Sequence, residues 1–204
     1  KPELMVYGEG WDLPTALNDD LKACQRNNAK MPQVAHFNDY FRDVVKGKTS
    51  DFDVQAKGYA TGNLFQAHDM PSALCANTLN KEMYKIYQQP TQSINYVECH
   101  DNATSWDKMK DCCKDEVREI RVKRQKLMIA VTLVAQGVPF LQSGQEFCRT
   151  KYGYHNTYNA PDNVNQIDWE RKNRHNEVVE FTRDCLRLRK LIRAFRFAST
   201  EEIE

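Results

Sequence analysis

The chain has 204 residues, enough for one large domain or two small ones. Its 29 Lys+Arg against 28 Asp+Glu leave a formal net charge of +1, which gives no electrostatic footing for nucleic acid or an anionic membrane surface. No apolar run approaches the ~20 residues that a helical span needs, no charged-then-apolar leader opens the chain, and an enzyme is left open.

The hydrophobic share is 41% with Tyr counted, below the roughly 45–50% of an ordinary globular chain. Long polar loops, or a piece of something larger, are the two expectations. Seven cysteines (Cys24, Cys75, Cys99, Cys112, Cys113, Cys148 and Cys185) form no C-x-x-C and no disulfide framework. Mostly free thiols are expected, which mildly favours a cytoplasmic over a secreted setting and otherwise leaves localisation open. Nothing near Cys112-Cys113 completes a tetrahedral zinc set, no H-E-x-x-H occurs, and no structural metal is expected.

In chain order, Leu4–Tyr7 reads as a short strand stopped by Gly8 and Gly10. Val34–Phe37 is a second, followed by a helix over Asp39–Lys46 and a closing Gly47. Ile94–Cys99 is a third strand. Glu116–Ala135 has a helical period through Ile120, Arg124, Leu127, Val131 and Val134. Val138–Leu141 is a fourth strand, and Glu177–Leu191 a last helix with Val178, Phe181, Cys185 and Leu188 on one face. Short apolar strands separated by helix-bearing segments predict α/β architecture with a parallel sheet. Chemistry then gathers beyond the C-terminal strand ends.

Three strand ends carry polar clusters. The first runs Tyr7-Gly8-Glu9-Gly10-Trp11-Asp12: a carboxylate between glycines, with an aromatic that can stack on a flat ligand. The same letters also describe a loop carboxylate beside a core Trp. The third strand ends Glu98-Cys99-His100-Asp101-Asn102, pairing a tunable imidazole with a carboxylate; residue type alone favours a helix cap by Asp101 or Asn102. After the fourth strand, Glu146 offers an active-site acid, though it reads more readily as a structural carboxylate bound to backbone or arginine. The loop His155–Trp169, including Asp162 and Asn165, mixes amides, rings and carboxylates as polyol recognition requires; it also fits a well-bonded surface loop. The sequon Asn102-Ala103-Thr104 overlaps the His-Asp cluster and is discounted as a glycosylation site.

These segments together resemble the α-amylase superfamily of glycoside hydrolases, and within it the type I pullulanases, the α-1,6-glucan debranching branch. The matching stretches are Tyr7–Leu13, Phe37–Asp43, Asn95–Asn102, Gly144–Phe147 and Tyr158–Asp162, in the family's order. The resemblance implies a partial (β/α)8 barrel, approximately units 5 to 8, over residues 1–195, with 196–204 starting a linker or following domain. It implies Glu9 as general acid/base and Asp101 as transition-state stabiliser. It further implies that Trp11, His100, Asn102, Asp162 and Asn165 bind an α-glucan. It brings calcium as a family option, although no loop with EF-hand spacing is present. Tyr40 stands where Arg is usual and Cys99 where a small residue is common.

A retaining glycosidase of this family also needs a carboxylate nucleophile. It lies in an Arg-x-Asp motif after strand 4, which no segment here matches. The reading is therefore the C-terminal half of a catalytic barrel, inactive alone, whose partner is the missing N-terminal half. Alternatives are a non-catalytic glucan-binding or assembly protein, and another α-glucan hydrolase such as an isoamylase or cyclomaltodextrinase.

Overall fold

The computed structural model describes residues 4–79 and 84–204, so the first three residues of the expected 1–195 unit lie outside it. Four strands, β1 (Val6–Gly8), β2 (Val34–Asn38), β3 (Ser93–Asn95) and β4 (Val138–Pro139), pair in chain order and all in parallel. Helices α1 (Asp39–Val45) and α2 (Met70–Leu74) lie between β2 and β3. Helices α3 (Ser105–Cys112) and α4 (Arg118–Val134) lie between β3 and β4. After β4 come α5 (Asp162–Asn165), α6 (Glu170–Arg174) and α7 (Asn176–Leu191). Sequential parallel strands with helical crossovers are the repeating unit of a β/α barrel, here an arc of four. Among the described residues no helix is long and apolar enough to cross a membrane.

The strands are shorter than their apolar runs. β3 leaves the ladder after Asn95, whose carbonyl accepts from Phe140 N at 2.8 Å, so Tyr96–Cys99 extend beyond the sheet. The β1–β2 connection holds 3-10 turns, at Asp19–Leu21 and Gln25–Lys30, and no α-helix. Its amide side chains bind backbone locally: Asp20 N donates to Asn18 Oδ1 (3.1 Å), and Asn27 Nδ2 donates to Asp19 O (2.7 Å) and Lys22 O (2.9 Å). Such bonds compete with helix formation.

One residue pins β2 to α1. Asn38 Oδ1 accepts from Phe41 N at 3.0 Å, capping the helix, while its Nδ2 donates to Asn77 Oδ1 and Ser93 Oγ, both at 2.9 Å. Ser93 Oγ reaches Asn95 Oδ1 (2.8 Å), and Asn95 Nδ2 donates to Gln136 O (2.5 Å). This buried polar ladder fixes strand register, because a slip orphans every member.

The apolar core lies between sheet and helices, with Phe41, Val44, Val45, Trp106, Met109, Met128, Ile129 and Val178 among its buried members. The buried face of α4 is only partly the expected one. Val131 is buried as expected, together with Val122, Gln125, Met128, Ile129 and Thr132, whereas Ile120 and Leu127 are 38% and 39% exposed. Gln125 on that face is satisfied, its Nε2 donating to Gln145 O at 3.0 Å. On α7, Val178 and Cys185 are buried and Phe181 packs on the core, but Leu188 is exposed and Arg189 is buried in its stead. The Arg189 guanidinium donates to the carbonyls of Leu133 and Ala135 (2.8 Å each) and Gly137 (2.7 Å). It thereby satisfies groups that the C-terminus of α4 leaves without helical partners. Residues 196–204 fold back on the body, Thr200 N donating to Gln89 Oε1 at 2.8 Å.

Candidate active site

The strand ends deliver one cavity of about 370 Å3, lined by Glu9, Trp11, Phe37, Arg42, Tyr96, Cys99, His100, Asp101, Asn102, Phe140 and Asn156. Five of the seven residues singled out from sequence therefore meet. Glu9 is carried by the turn after β1, where Gly10 (φ 74°) reverses the chain against the His36 ring. His100, Asp101 and Asn102 come from the loop after β3, and Asn102 itself is left-handed at φ 56°. Ligating atoms of Glu9, His100 and Asp101 all lie within 4.8 Å of one another, and His100 Nε2 is 3.5 Å from Asp101 Oδ1.

The helix cap that competed for Asp101 and Asn102 belongs to Thr104, whose Oγ1 accepts from Asp107 N at 3.1 Å. Asp101 is free to line the cavity. Asn102 instead accepts through Oδ1 from Thr49 Oγ1 at 3.1 Å.

The walls come from residues that sequence reasoning left unassigned. Phe37 packs edge-on to Tyr96 (5.0 Å between centroids) and Phe140 (5.1 Å), with Tyr7 at 6.1 Å. Strand periodicity carries that signal, since alternate residues on neighbouring strands share a face. Arg42 is held by Asp43 Oδ1 (2.7 Å) and donates to the Tyr96 hydroxyl (2.9 Å). Burial pushes the Tyr96 phenol up, so it meets the guanidinium as a neutral acceptor.

Beneath the cavity lie buried charges. Burial pushes the Glu98 carboxyl up, against the opposing pull of Ser105 N (2.6 Å), Ser105 Oγ and the positive charges of Lys46 and Arg149. Burial brings the Lys46 ammonium down to about 8, with Glu98 opposing. Lys151 ties the His100 loop to the next one: its Nζ donates to His100 O (3.2 Å) and His155 O (2.9 Å), and its backbone N to Asp107 Oδ2 (2.6 Å). Burial alone would raise Asp107, but bonds from Thr150, Lys151 and Lys110 hold it below the usual carboxylate range.

Asp162 and Asn165 do not line this cavity. Asp162 is exposed at the start of α5. Asn165 braces its loop, with Oδ1 accepting from Thr157 Oγ1 and Nδ2 donating to Thr157 O, both at 2.7 Å. Glu146 accepts from Gly144 N at 3.0 Å, the backbone role expected of it. A larger groove of about 970 Å3 runs beside α1, but carries neither Glu9 nor the His-Asp pair. As for calcium, the Glu9–His100–Asp101 set includes an imidazole, whereas calcium takes six to eight oxygens; these residues do not fit it.

No family model matches the chain. A pullulanase of Bacillus subtilis (strain 168) is 44% identical over 204 residues, which is 100% of this chain and 28% of that protein. The crystal structure of that type I pullulanase, complexed with maltose, superposes with a TM-score of 0.96. The chain is a homologue of the type I pullulanases. A pullulanase from Anoxybacillus sp. LM18-11 complexed with maltotriose is 45% identical, with a TM-score of 0.90 over 97% of this chain and 27% of its own. One from Paenibacillus barengoltzii, in complex with maltohexaose and alpha-cyclodextrin, is 39% identical, with a TM-score of 0.92 over 98% of this chain and 31% of its own. The chain thus spans under a third of the length of these pullulanases.

Proposed function

We propose that this chain is the part of a pullulanase that carries the proton donor and the sugar-gripping pair. The whole enzyme hydrolyses α-1,6 branch linkages in pullulan, starch or glycogen-derived glucans by a retaining mechanism. The observation that carries this reading is the meeting of Glu9, His100 and Asp101 within 4.8 Å in a cavity walled by aromatic rings. Glu9 protonates the leaving glycosidic oxygen, then takes a proton from the attacking water. The Asp101 carboxylate and His100 hold ring hydroxyls while positive charge develops at the anomeric carbon. Trp11 stacks on the acceptor sugar and Asn102 lines its path. Asp162 and Asn165 belong to a glucan-facing loop, Asn165 as its brace. The crystallised relatives' maltose and maltooligosaccharide complexes support an α-glucan as ligand.

The nucleophile is not among these groups, so the Glu9–Asp101 separation carries no stereochemical information. We place it in the other half of the barrel, with residues 1–195 supplying units 5 to 8 and 196–204 leading into the next segment. The absence of an Arg-x-Asp motif from the 204 residues is also what a non-catalytic glucan-binding reading would rest on. Replacement Glu9→Gln in the full-length protein separates the two. Hydrolysis of pullulan is expected to fall by about 10²–10⁴. The first step on a glucoside with an activated leaving group, which needs little protonation, should fall far less. Equal losses on both substrates would assign Glu9 some other role, and no hydrolysis by the unaltered protein would favour the binding reading.

A further inference from the structure

Cys112 and Cys113 take no part in the cavity or its bracing. Cys112 is the last residue of α3 and Cys113 its cap, at φ −126° and ψ 35°. Neighbouring side chains on a continuing helix diverge by about 100°. Here the helix stops between the two, and their Sγ atoms come to 3.7 Å. Cys113 lies against the loop of residues 47–62, its Sγ 3.3 Å from Thr61 O, and its single proton turns either to that carbonyl or to Cys112 Sγ. A disulfide requires the sulfurs to close from 3.7 Å to about 2.05 Å, a motion available to side chains already facing one space.

The two sulfurs are chemically unequal. The C-terminal end of a helix disfavours an anion, yet Lys108 lies one turn back on the same face as Cys112. Its Nζ is fixed there by the carbonyls of Lys48 (2.6 Å), Asp53 (2.7 Å) and Val54 (3.0 Å). A hydrogen bond from Cys113, with the charges of Lys108 and Lys57, brings the Cys112 thiol down to about 7. The same bond and burial push Cys113 up, so it keeps its proton. Burial pushes up Cys75, Cys99, Cys148 and Cys185 as well. Cys112 is 7% exposed and Cys113 3%, burial that favours a small peroxide over a bulky disulfide as the oxidant.

We propose that Cys112 and Cys113 are an oxidation site, a dithiol that a peroxide closes to a vicinal disulfide. The Cys112 thiolate attacks one peroxide oxygen, the O–O bond breaks, and hydroxide leaves a sulfenic acid on Cys112. The Cys113 sulfur attacks that sulfenic sulfur, the S–S bond forms, and the hydroxyl departs with the Cys113 proton as water. Two thiols lose two electrons, and hydrogen peroxide takes them up to end as two waters. Closure takes Cys113 away from Thr61 O.

The test uses the full-length protein, treated with hydrogen peroxide, denatured in an alkylating reagent, digested and weighed. The peptide holding both cysteines is expected to lose two hydrogens and take no alkyl group, and to take two after reduction. It should react about tenfold faster than Cys99, following thiolate fraction, whereas glutathione disulfide should leave it unmodified. In Cys113→Ser the reaction should stop at a sulfenic acid on Cys112 that dimedone traps, and Cys112→Ser should yield no dimedone adduct on Cys113. The proposal is overturned by a peptide still fully alkylated when Cys99 has reacted. It is equally overturned by Cys112 passing to sulfinic acid without bridging, or by dimedone capture at Cys113.

Discussion

His175 shows how a single side chain is set by its surroundings. It is 5% exposed, its ring lies edge-on to Trp106 at 5.5 Å, and Arg118 Nη2 sits 3.2 Å from its Nδ1. A guanidinium has only donors, so Nδ1 is the acceptor and the neutral imidazole is the form that fits. Burial first, then the charges of Arg171, Arg118 and Arg174, bring its pKa down to about 4, with only Glu177 opposing. The unfolded chain binds this proton near 6.5 and the folded one near 4, so stability is fully present above about 6.5 and is lost as pH falls toward 4. The expected loss is on the order of 1–3 kcal/mol. Chemical denaturation of the full-length protein at pH 7 and pH 4.5 checks it. The difference between these two pH values should shrink in His175→Gln, which cannot take up the proton. An unchanged difference would place the acid sensitivity elsewhere.

At the scale of the element, the turn after β1 decides whether the strand end becomes a site. Gly10 has φ 74°, and a Cβ there would stand 2.6 Å from His36 Cδ2 and 2.7 Å from His36 Cβ. The residue must also let Gln25 N donate to its carbonyl at 2.9 Å. Gly10→Ala therefore combines a left-handed backbone strain of about 1 kcal/mol with a clash against a buried ring that has little room to move. The expected outcome is displacement of Glu9 and Trp11 together. In the full-length protein kcat on pullulan should fall at least about tenfold, since an ångström of misplacement is costly in a positioned site. The thermal midpoint should drop by several degrees. Unchanged turnover and an unchanged midpoint in Gly10→Ala would refute the argument.

On the scale of the whole molecule, the sheet is open at both ends among the described residues: β1 pairs only with β2, and β4 only with β3. Every residue of β1 is exposed, with Val6 at 56% and Tyr7 at 52%, and Met5 before it at 48%. An unpaired apolar strand edge is a template for another chain. The 204 residues expressed alone should therefore self-associate and unfold with poor cooperativity. They should also hydrolyse no pullulan, because no covalent glycosyl intermediate forms without a nucleophile. Sedimentation and a pullulan assay against a Glu9→Ala control check both. A monodisperse monomer with a sharp, reversible transition, or turnover above the control, would count against them.

What the sequence determined by itself is local and ordered along the chain. Apolar runs bounded by glycine and polar clusters marked four strands, and the strand-end motifs, through the family resemblance they carry, marked Glu9, Trp11, His100, Asp101 and Asn102, all of which line the cavity. Those residues were legible because strand ends in a parallel sheet share one side. Tertiary structure decided what depends on non-neighbours. It set the phase of α4, where Gln125 is buried because Gln145 O receives it. It gave the helix cap to Thr104 rather than Asp101, turned Asn165 into a loop brace, and drew Lys151 under His100 from 51 residues away. Periodicity names a face without saying what covers it. A polar side chain's role depends on which partner reaches it, and only the folded chain brings that partner into range.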